Sequence, residues 1–331
     1  MGIIDTNAYI IGENPNRDVD IQGLFPITSI INHSCTSNTI CYSTDDYKFN
    51  CRAVVDIQRG EELTTNYLHY HYHYHGLSYR APELSRYWHF SCTCRRCRDP
   101  SEFGSLVDSL LCQDCGAGAC LPLNNQPGAE WMCGDCYSSQ TANTATTKIE
   151  YWRDMLDKSS KADTKELLSY VYQLSKIFHP NHYFILDVKR RVIEAISEMP
   201  GYQDGTIGEA WLVKKLEFCQ DHLAVQRRVS PGLSEYRAYL SSQTAHPLYL
   251  LTKVRDRTDQ SRPNSVFQRK YLDKRITRDD LMRSMEEVAG HLMMTVQIWG
   301  EYRVRSEERR EAEAARELLA RIDKDYLHRN H

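Results

Sequence analysis

Four cysteines, Cys112, Cys115, Cys133 and Cys136, stand as C-x2-C, seventeen residues, C-x2-C. The segment around them is too polar to bury four free thiols, so the pattern commits it to a metal rather than to an apolar core. Each pair can grip one ion from a tight turn, and four thiolates close a tetrahedral site suited to Zn2+. Gly116 and Gly134 follow the pairs and ease those turns. Cys92, Cys94 and Cys97 form a second series, C-x-C-x2-C, one ligand short of a tetrahedron. Cys35, Cys41, Cys51, Cys120 and the histidines are the candidates for its fourth ligand. A structural zinc supplies on the order of 10 kcal/mol of folding free energy. Residues 68 to 145, rich in Cys, Gly, Ser and Asn with little hydrophobic period, need such a source of stability.

The other bulk features narrow the classes. The start, MGIIDTNAYIIGENPNRD, has no basic n-region and no long apolar core, so it does not read as a secretory signal. It matches the N-myristoylation pattern through Gly2 and Thr6, although GII followed by NAYII reads better as buried strand. Without a secretory signal, twelve cysteines suggest metal ligands in a reducing compartment, cytoplasm or nucleus, rather than disulfides. A net charge of −3 and the lack of a basic, aromatic-laced stripe argue against direct nucleic-acid binding. No run of eighteen apolar residues predicts a membrane span.

The expected class is α+β. Residues 1–67 are β-rich: TICYS and KFNCRAVVDI are strands joined through Asp45 and Asp46, with Cys41 and Cys51 in their core. Residues 68–99 and 100–145 carry the two cysteine series. Residues 146–331 are helical, with apolar stripes at Ile185, Val188, Val192 and Ile196 and at Leu212, Leu216, Cys219 and Leu223. Two more stripes run through Leu281, Met285, Val288, Leu292, Val296 and Trp299, and through Ala312, Ala315, Leu319, Ile322 and Tyr326. Consecutive amphipathic helices with short breaks predict stacked, TPR-like hairpins. His69, His71, His73 and His75 alternate in LHYHYHYHG; the run reads as a solvated Tyr/His segment rather than a metal site.

The ordered set NHSC (32–35), GEELTTNY (60–67) and SCTCRRC (91–97) resembles the C-terminal half of a SET domain followed by a post-SET zinc cluster. NAY at 7–9, GLFPITSIINHSC, the second pair of C-x2-C motifs and HPNHYFILDVKRRVI make the chain similar to the SET-and-MYND (SMYD) protein methyltransferases, above all the arthropod SmydA type. The resemblance implies that 1–67 is the C-terminal part of a SET domain, 68–99 a post-SET zinc region, 100–145 a second zinc segment and 146–331 a TPR-like domain. No cysteine precedes Cys35 and no glycine-rich strand precedes Asn7. The chain is therefore expected to lack the family's first SET strand and its MYND finger.

The same resemblance implies the site. Asn32 and His33 would hold S-adenosylmethionine through backbone contacts, Asn7 would reach its amino-acid end, and Phe90 would pack on its adenine. Tyr67 would be the catalytic tyrosine beside the cofactor, and Tyr9 would line the lysine channel. Cys35 would complete the zinc site of Cys92, Cys94 and Cys97. Where the family often has a second active-site tyrosine this chain has Trp88, with Tyr87 beside it. After Cys35 it has Thr36, Ser37 and Asn38 in place of the family's x-Pro-Asn. The implied function is S-adenosylmethionine-dependent methylation of a lysine side chain in a protein, with histone among the candidates. The alternative is an inactive, zinc-stapled scaffold that binds a protein partner through its helices. The residue types suit the chemistry: an aromatic channel disfavours the ammonium by desolvation, and a tyrosine hydroxyl can orient the neutral amine.

Overall fold

A computed structural model describes residues 2–13, 20–44, 46–124, 128–159, 161–258, 278–300, 302 and 307–323. Two compact units divide them. One takes the chain up to Val188 with Ala224–Ser234 and Tyr302; the other takes Lys189–Leu223 and the remaining described residues. The fold is α+β: small sheets and the two cysteine clusters precede a helical C-terminal region.

The first unit opens with helix α1 (Ile3–Asn7). The strand expected across GII and NAYII therefore begins only at β1 (Ala8–Glu13). Ile3 and Ile4 are exposed, so no core holds that stretch extended. β1 pairs antiparallel with β2 (Asp20–Leu24). The expected hairpin forms from β4 (Thr39–Ser43) and β5 (Phe49–Ala53), and Cys41 lies opposite Cys51. Contrary to expectation, neither cysteine is core: Cys41 is half-buried and Cys51 exposed.

β3 (Asn32–His33) pairs in parallel with β6 (Thr64–Thr65), far along the chain. Asn38, buried, staples this junction. Its Oδ1 accepts from the Thr64 N–H at 2.8 Å, and its Nδ2 donates to the Glu62 carbonyl at 2.9 Å. Thr39 Oγ1 donates to the Thr64 carbonyl at 2.8 Å. The side chain thus meets backbone groups that a two-residue strand cannot pair alone.

The Tyr/His run is not solvated as expected. It winds into a 3-10 turn at Tyr70–Tyr72 and buries Tyr70, His73, Tyr74 and His75. Arg96 makes this possible by donating to the His73 and His75 carbonyls at 2.5 and 2.8 Å. Helix α2 (Leu77–Trp88) follows. Two carboxylates cap it: Glu102 accepts from the Leu77 N–H and Asp108 from the Ser78 N–H, both at 2.7 Å. Gly76 is required there, because a Cβ would lie 2.4 Å from Asp108. Pro82 inside the helix frees the Ser78 carbonyl, and Arg153 Nη2 fills it at 3.3 Å. Helix α3 (Arg95–Arg98) carries Cys97.

Strands β7 (Leu110–Leu111), β8 (Ala119–Pro122), β9 (Trp131–Cys133) and β10 (Ser139–Gln140) form an antiparallel sheet in the order β10-β9-β8-β7. The two C-x2-C motifs occupy its β7–β8 and β9–β10 turns. Gly116 takes a left-handed φ of 72°, as its place suggested, but in the second turn Tyr137 takes it (φ 62°) rather than Gly134. Helices α4 (Ala142–Lys158) and α5 (Thr164–Leu174) are capped by Thr141 and Asp163.

Helix α6 (Tyr183–Ser197) runs from the first unit into the second. The second unit adds α7 (Glu209–Val229, up to Leu223), α8 (Glu235–Thr258), α9 (Arg278–Trp299) and α10 (Glu307–Ile322). Ala245 and Tyr249 of α8, Met285, Val288 and Leu292 of α9, and Ala315 and Ile322 of α10 share one core. The stripes read from the sequence are therefore buried faces. The side chain of Leu281 and the whole of Tyr326 lie outside the described residues. No described helix is long and apolar enough to cross a membrane.

Candidate active site and metal centres

Cys35, Cys92, Cys94 and Cys97 converge with all four sulfurs within 4.8 Å of one another, and Cys112, Cys115, Cys133 and Cys136 do the same. A Zn–S bond of ~2.3 Å gives tetrahedral edges of roughly 3.8 Å. The Cys35–Cys97, Cys112–Cys136 and Cys115–Cys133 separations are 3.5, 3.6 and 3.8 Å. Both donor sets therefore fit Zn2+, and Cys35 is the sulfur that joins the incomplete C-x-C-x2-C series. In the second cluster the Cys115 N–H and the Ser138 hydroxyl pull the Cys112 thiol down to about 6, which favours the thiolate that a metal needs.

A zinc bound by four thiolates carries a net charge of −2, and the fold supplies a buried counter-charge to the first site. Arg80, fully buried on α2, donates from Nε to Cys35 Sγ at 3.3 Å and from Nη2 to Cys97 Sγ at 3.5 Å. Its Nη1 reaches Glu102 Oε2 at 2.7 Å and the His75 carbonyl. Arg96, also fully buried, meets the same Glu102 oxygen at 2.6 Å. Hydrogen bonds from the other three thiols, together with the Arg80 charge, hold the Cys35 thiol far below its ordinary value.

His33 ties this metal centre to Tyr67. Its Nδ1 accepts from the Tyr67 N–H at 3.0 Å, which leaves the proton on Nε2, 3.3 Å from Cys35 Sγ. The Tyr67 hydroxyl donates to the Ile31 carbonyl at 2.7 Å. Phe90 lies beside His33 and Tyr67, with centroids 5.7 and 6.3 Å away. Trp88, not Tyr87, faces Tyr67, at 5.5 Å; Tyr87 is exposed, with Arg86 over its ring. Of the residues expected to serve the cofactor, Asn7, Asn32, His33, Tyr67 and Phe90, the structure brings His33, Tyr67 and Phe90 together and keeps Asn32 next to His33 on β3. β3 pairs only with β6 among the described residues, so its other edge leaves backbone groups of Asn32 and His33 free for a ligand. An aromatic face beside an open strand edge suits a flat heterocycle.

Tyr9 sits in an aromatic group of its own, 6.3 Å from Phe25 and 4.4 Å from Phe49, and its hydroxyl donates to the Thr28 carbonyl at 3.2 Å. Burial pushes its phenol up to about 12, with Cys41 and Tyr67 adding to the effect. Burial and Cys41 raise Tyr67 as well. Both phenols are therefore neutral near pH 7 and act as hydroxyl groups. The Asn7 side chain turns back to the Ile3 carbonyl at 3.0 Å, while its own carbonyl accepts from Ser29 Oγ at 3.0 Å.

Sequence reasoning missed several parts. Glu62 accepts from Asn32 Nδ2 at 2.6 Å and fixes that amide. Phe25 and Phe49 line the Tyr9 group. Arg80, Arg96 and Glu102 form the charge network under the metal. Only the aromatics had a local signal, as apolar positions in β-rich runs.

Residues 3–68 match the SET domain model. SmydA-8 isoform A, a SET domain-containing protein of Drosophila melanogaster, is 29% identical over 213 residues, covering 58% of this chain and 42% of that protein. Histone-lysine N-methyltransferase SMYD1 of Homo sapiens is 20% identical over 62% of this chain and 40% of its own length. Histone-lysine N-methyltransferase ASHR1 of Arabidopsis thaliana is 22% identical over 68% and 46%. The matches span less than half the length of these relatives.

Proposed function

We propose that this chain, a SET-domain protein of the SmydA-like SMYD family, is a protein-lysine N-methyltransferase that uses S-adenosylmethionine. The observation that carries the reading is the meeting of His33, Tyr67 and Phe90 beside a four-cysteine site, with Asn32 next to His33 on β3. The names of SMYD1 and ASHR1 as histone-lysine methyltransferases support a protein lysine as substrate.

S-adenosylmethionine, when bound, supplies a methyl group on a sulfonium. The chain's own residues do the rest. The open edge of β3 at Asn32 and His33 would hold the cofactor's base, with Phe90 against it. Asn7 would reach the cofactor's amino-acid end. A substrate lysine would enter between the Tyr9–Phe25–Phe49 group and Tyr67. An aromatic wall disfavours the ammonium, whose free pKa is ~10.4, so the proton leaves to water and a neutral amine remains. The neutral Tyr67 hydroxyl, held by Ile31, orients that amine's lone pair for in-line attack. A Zn2+ held by Cys35, Cys92, Cys94 and Cys97 would brace the wall that carries His33 and Tyr67.

Calorimetric titration of S-adenosylmethionine into the zinc-loaded chain tests the cofactor, with Asn32→Ala as control. Micromolar binding that the variant loses is expected. Methyl transfer to lysine-containing protein, histone first, is expected to fall at least ~100-fold in Tyr67→Phe. A folded, two-zinc protein that binds no cofactor overturns the reading and leaves a scaffold.

A further inference from the structure

Cys120, a candidate from the sequence for the fourth ligand of the first series, lies instead against the second one. It sits on β8 directly opposite Cys133 of β9. Its thiol is buried, and burial together with the neighbouring Cys112 and Cys133 thiols pushes it up to about 12. Those two ligands are themselves buried, whereas Cys115 and Cys136 are exposed. The cluster therefore has two layers: an inner triangle of Cys112, Cys133 and Cys120, and an outer pair, Cys115 and Cys136.

We propose that the second metal site is a five-thiol site in which Cys120 is a reserve ligand. When an outer thiolate is lost, the ion moves inward onto the Cys112–Cys133–Cys120 face and keeps four sulfurs. Three sulfurs never let go, so the exchange needs no free intermediate. The displacement is small, because a Zn–S bond is only ~2.3 Å and Cys120 stands directly opposite one of the ligands, Cys133, on the neighbouring strand. The reserve protects the side that needs it. Alkylating or oxidising agents reach the outer pair first, since reactivity follows exposure and thiolate character. The ion class is a thiophilic one with no demand for an open position, Zn2+ or Cd2+.

The arrangement differs from packing of a spare cysteine in a core. A core thiol would be indifferent to which ligands remain, and its replacement would have the same effect in every background. A reserve ligand matters only after another ligand has gone.

The test uses the full chain loaded with Zn2+, then with Co2+ as a spectroscopic stand-in. Cys115→Ala, Cys136→Ala, Cys120→Val and the doubles Cys115→Ala/Cys120→Val and Cys136→Ala/Cys120→Val are compared for metal per chain and for resistance to a competing chelator. The first site serves as an internal reference for folding. Cys120→Val alone should hold two ions like the parent. Each single alanine variant should also hold two, with a four-thiolate cobalt spectrum. Each double should fall to one ion, or bind the second at least ~30-fold more weakly than its single parent. If either single alanine variant already shows a three-thiolate spectrum, or loses its ion as readily as the matching double, the proposal fails. It fails equally if Cys120→Val alone empties the site.

Discussion

His33 makes a prediction that separates two roles for one side chain. The resemblance assigns it to the cofactor through its backbone; the structure gives its ring a second task. The ring accepts from the Tyr67 N–H at 3.0 Å and sits 3.3 Å from Cys35 Sγ. His33→Ala removes both bonds and leaves the backbone of β3 in place. Loss of a partner to a metal ligand typically costs 10- to 100-fold in metal affinity, or about 1.4–2.8 kcal/mol. Arg80 still donates to the same sulfur, so the lower half of that range is expected. The Tyr67 N–H loses its acceptor as well, at ~1–3 kcal/mol. A hydroxyl displaced by ~1 Å would lower methyl transfer by about 100-fold. The assay is competition with a chromophoric chelator, read separately for the two metals, beside cofactor titration. The expected result is a weakened first site, an unchanged second site and near-parental cofactor affinity. If metal affinity at both sites equals that of the parent while cofactor binding collapses, the ring does not bridge zinc to tyrosine.

Two further outcomes follow from the buried charges. Glu102→Gln leaves Arg80 and Arg96, both fully buried, without their shared carboxylate, at a cost of about 3–5 kcal/mol. In a unit of this size the thermal midpoint should fall by roughly 6–20 °C, and a midpoint within 2 °C of the parent, about one-third of that smallest fall, would show that the network is not stabilising. His73 is buried, and burial pushes its pKa down to about 4, below the ~6.5 of the unfolded chain. The unfolded state therefore takes up the proton first, and stability is lost as the pH falls from ~6.5 to about 4, by about 3 kcal/mol in all. His73→Gln keeps a donor near the Nε2 position for the Leu68 carbonyl, so urea midpoints between pH 7 and 4.5 should fall less steeply than in the parent; parallel slopes would contradict the assignment.

What could be read from the sequence was whatever its chemistry forces to be close in sequence. A C-x2-C turn must place its two sulfurs three residues apart, so the second cluster was legible outright. A helix must place its apolar residues at a 3.6-residue period, so Val188, Val192 and Ile196 were legible as a buried face. The first metal site was legible only in part: spacing alone left five kinds of fourth ligand open, and the resemblance, then the structure, selected Cys35. Groups that compensate one another through space carry no such signal. Arg80, Arg96 and Glu102 look like surface residues in any composition-based reading, because charged side chains are seldom buried unless paired. Their partners lie at unrelated separations along the chain. The Tyr/His run was misread for the same cause. Its histidines were judged by their own polarity, yet what decides their burial is that Arg96 satisfies the His73 and His75 carbonyls. The misreading of α1 has the opposite sign. Apolar Ile3 and Ile4 promised a buried strand, but burial needs a surface to pack on, and both are exposed. Polarity in a sequence therefore reports what a residue needs, while burial depends on whether another part of the chain supplies it. The compensating partner is the information that the sequence of a single segment lacks.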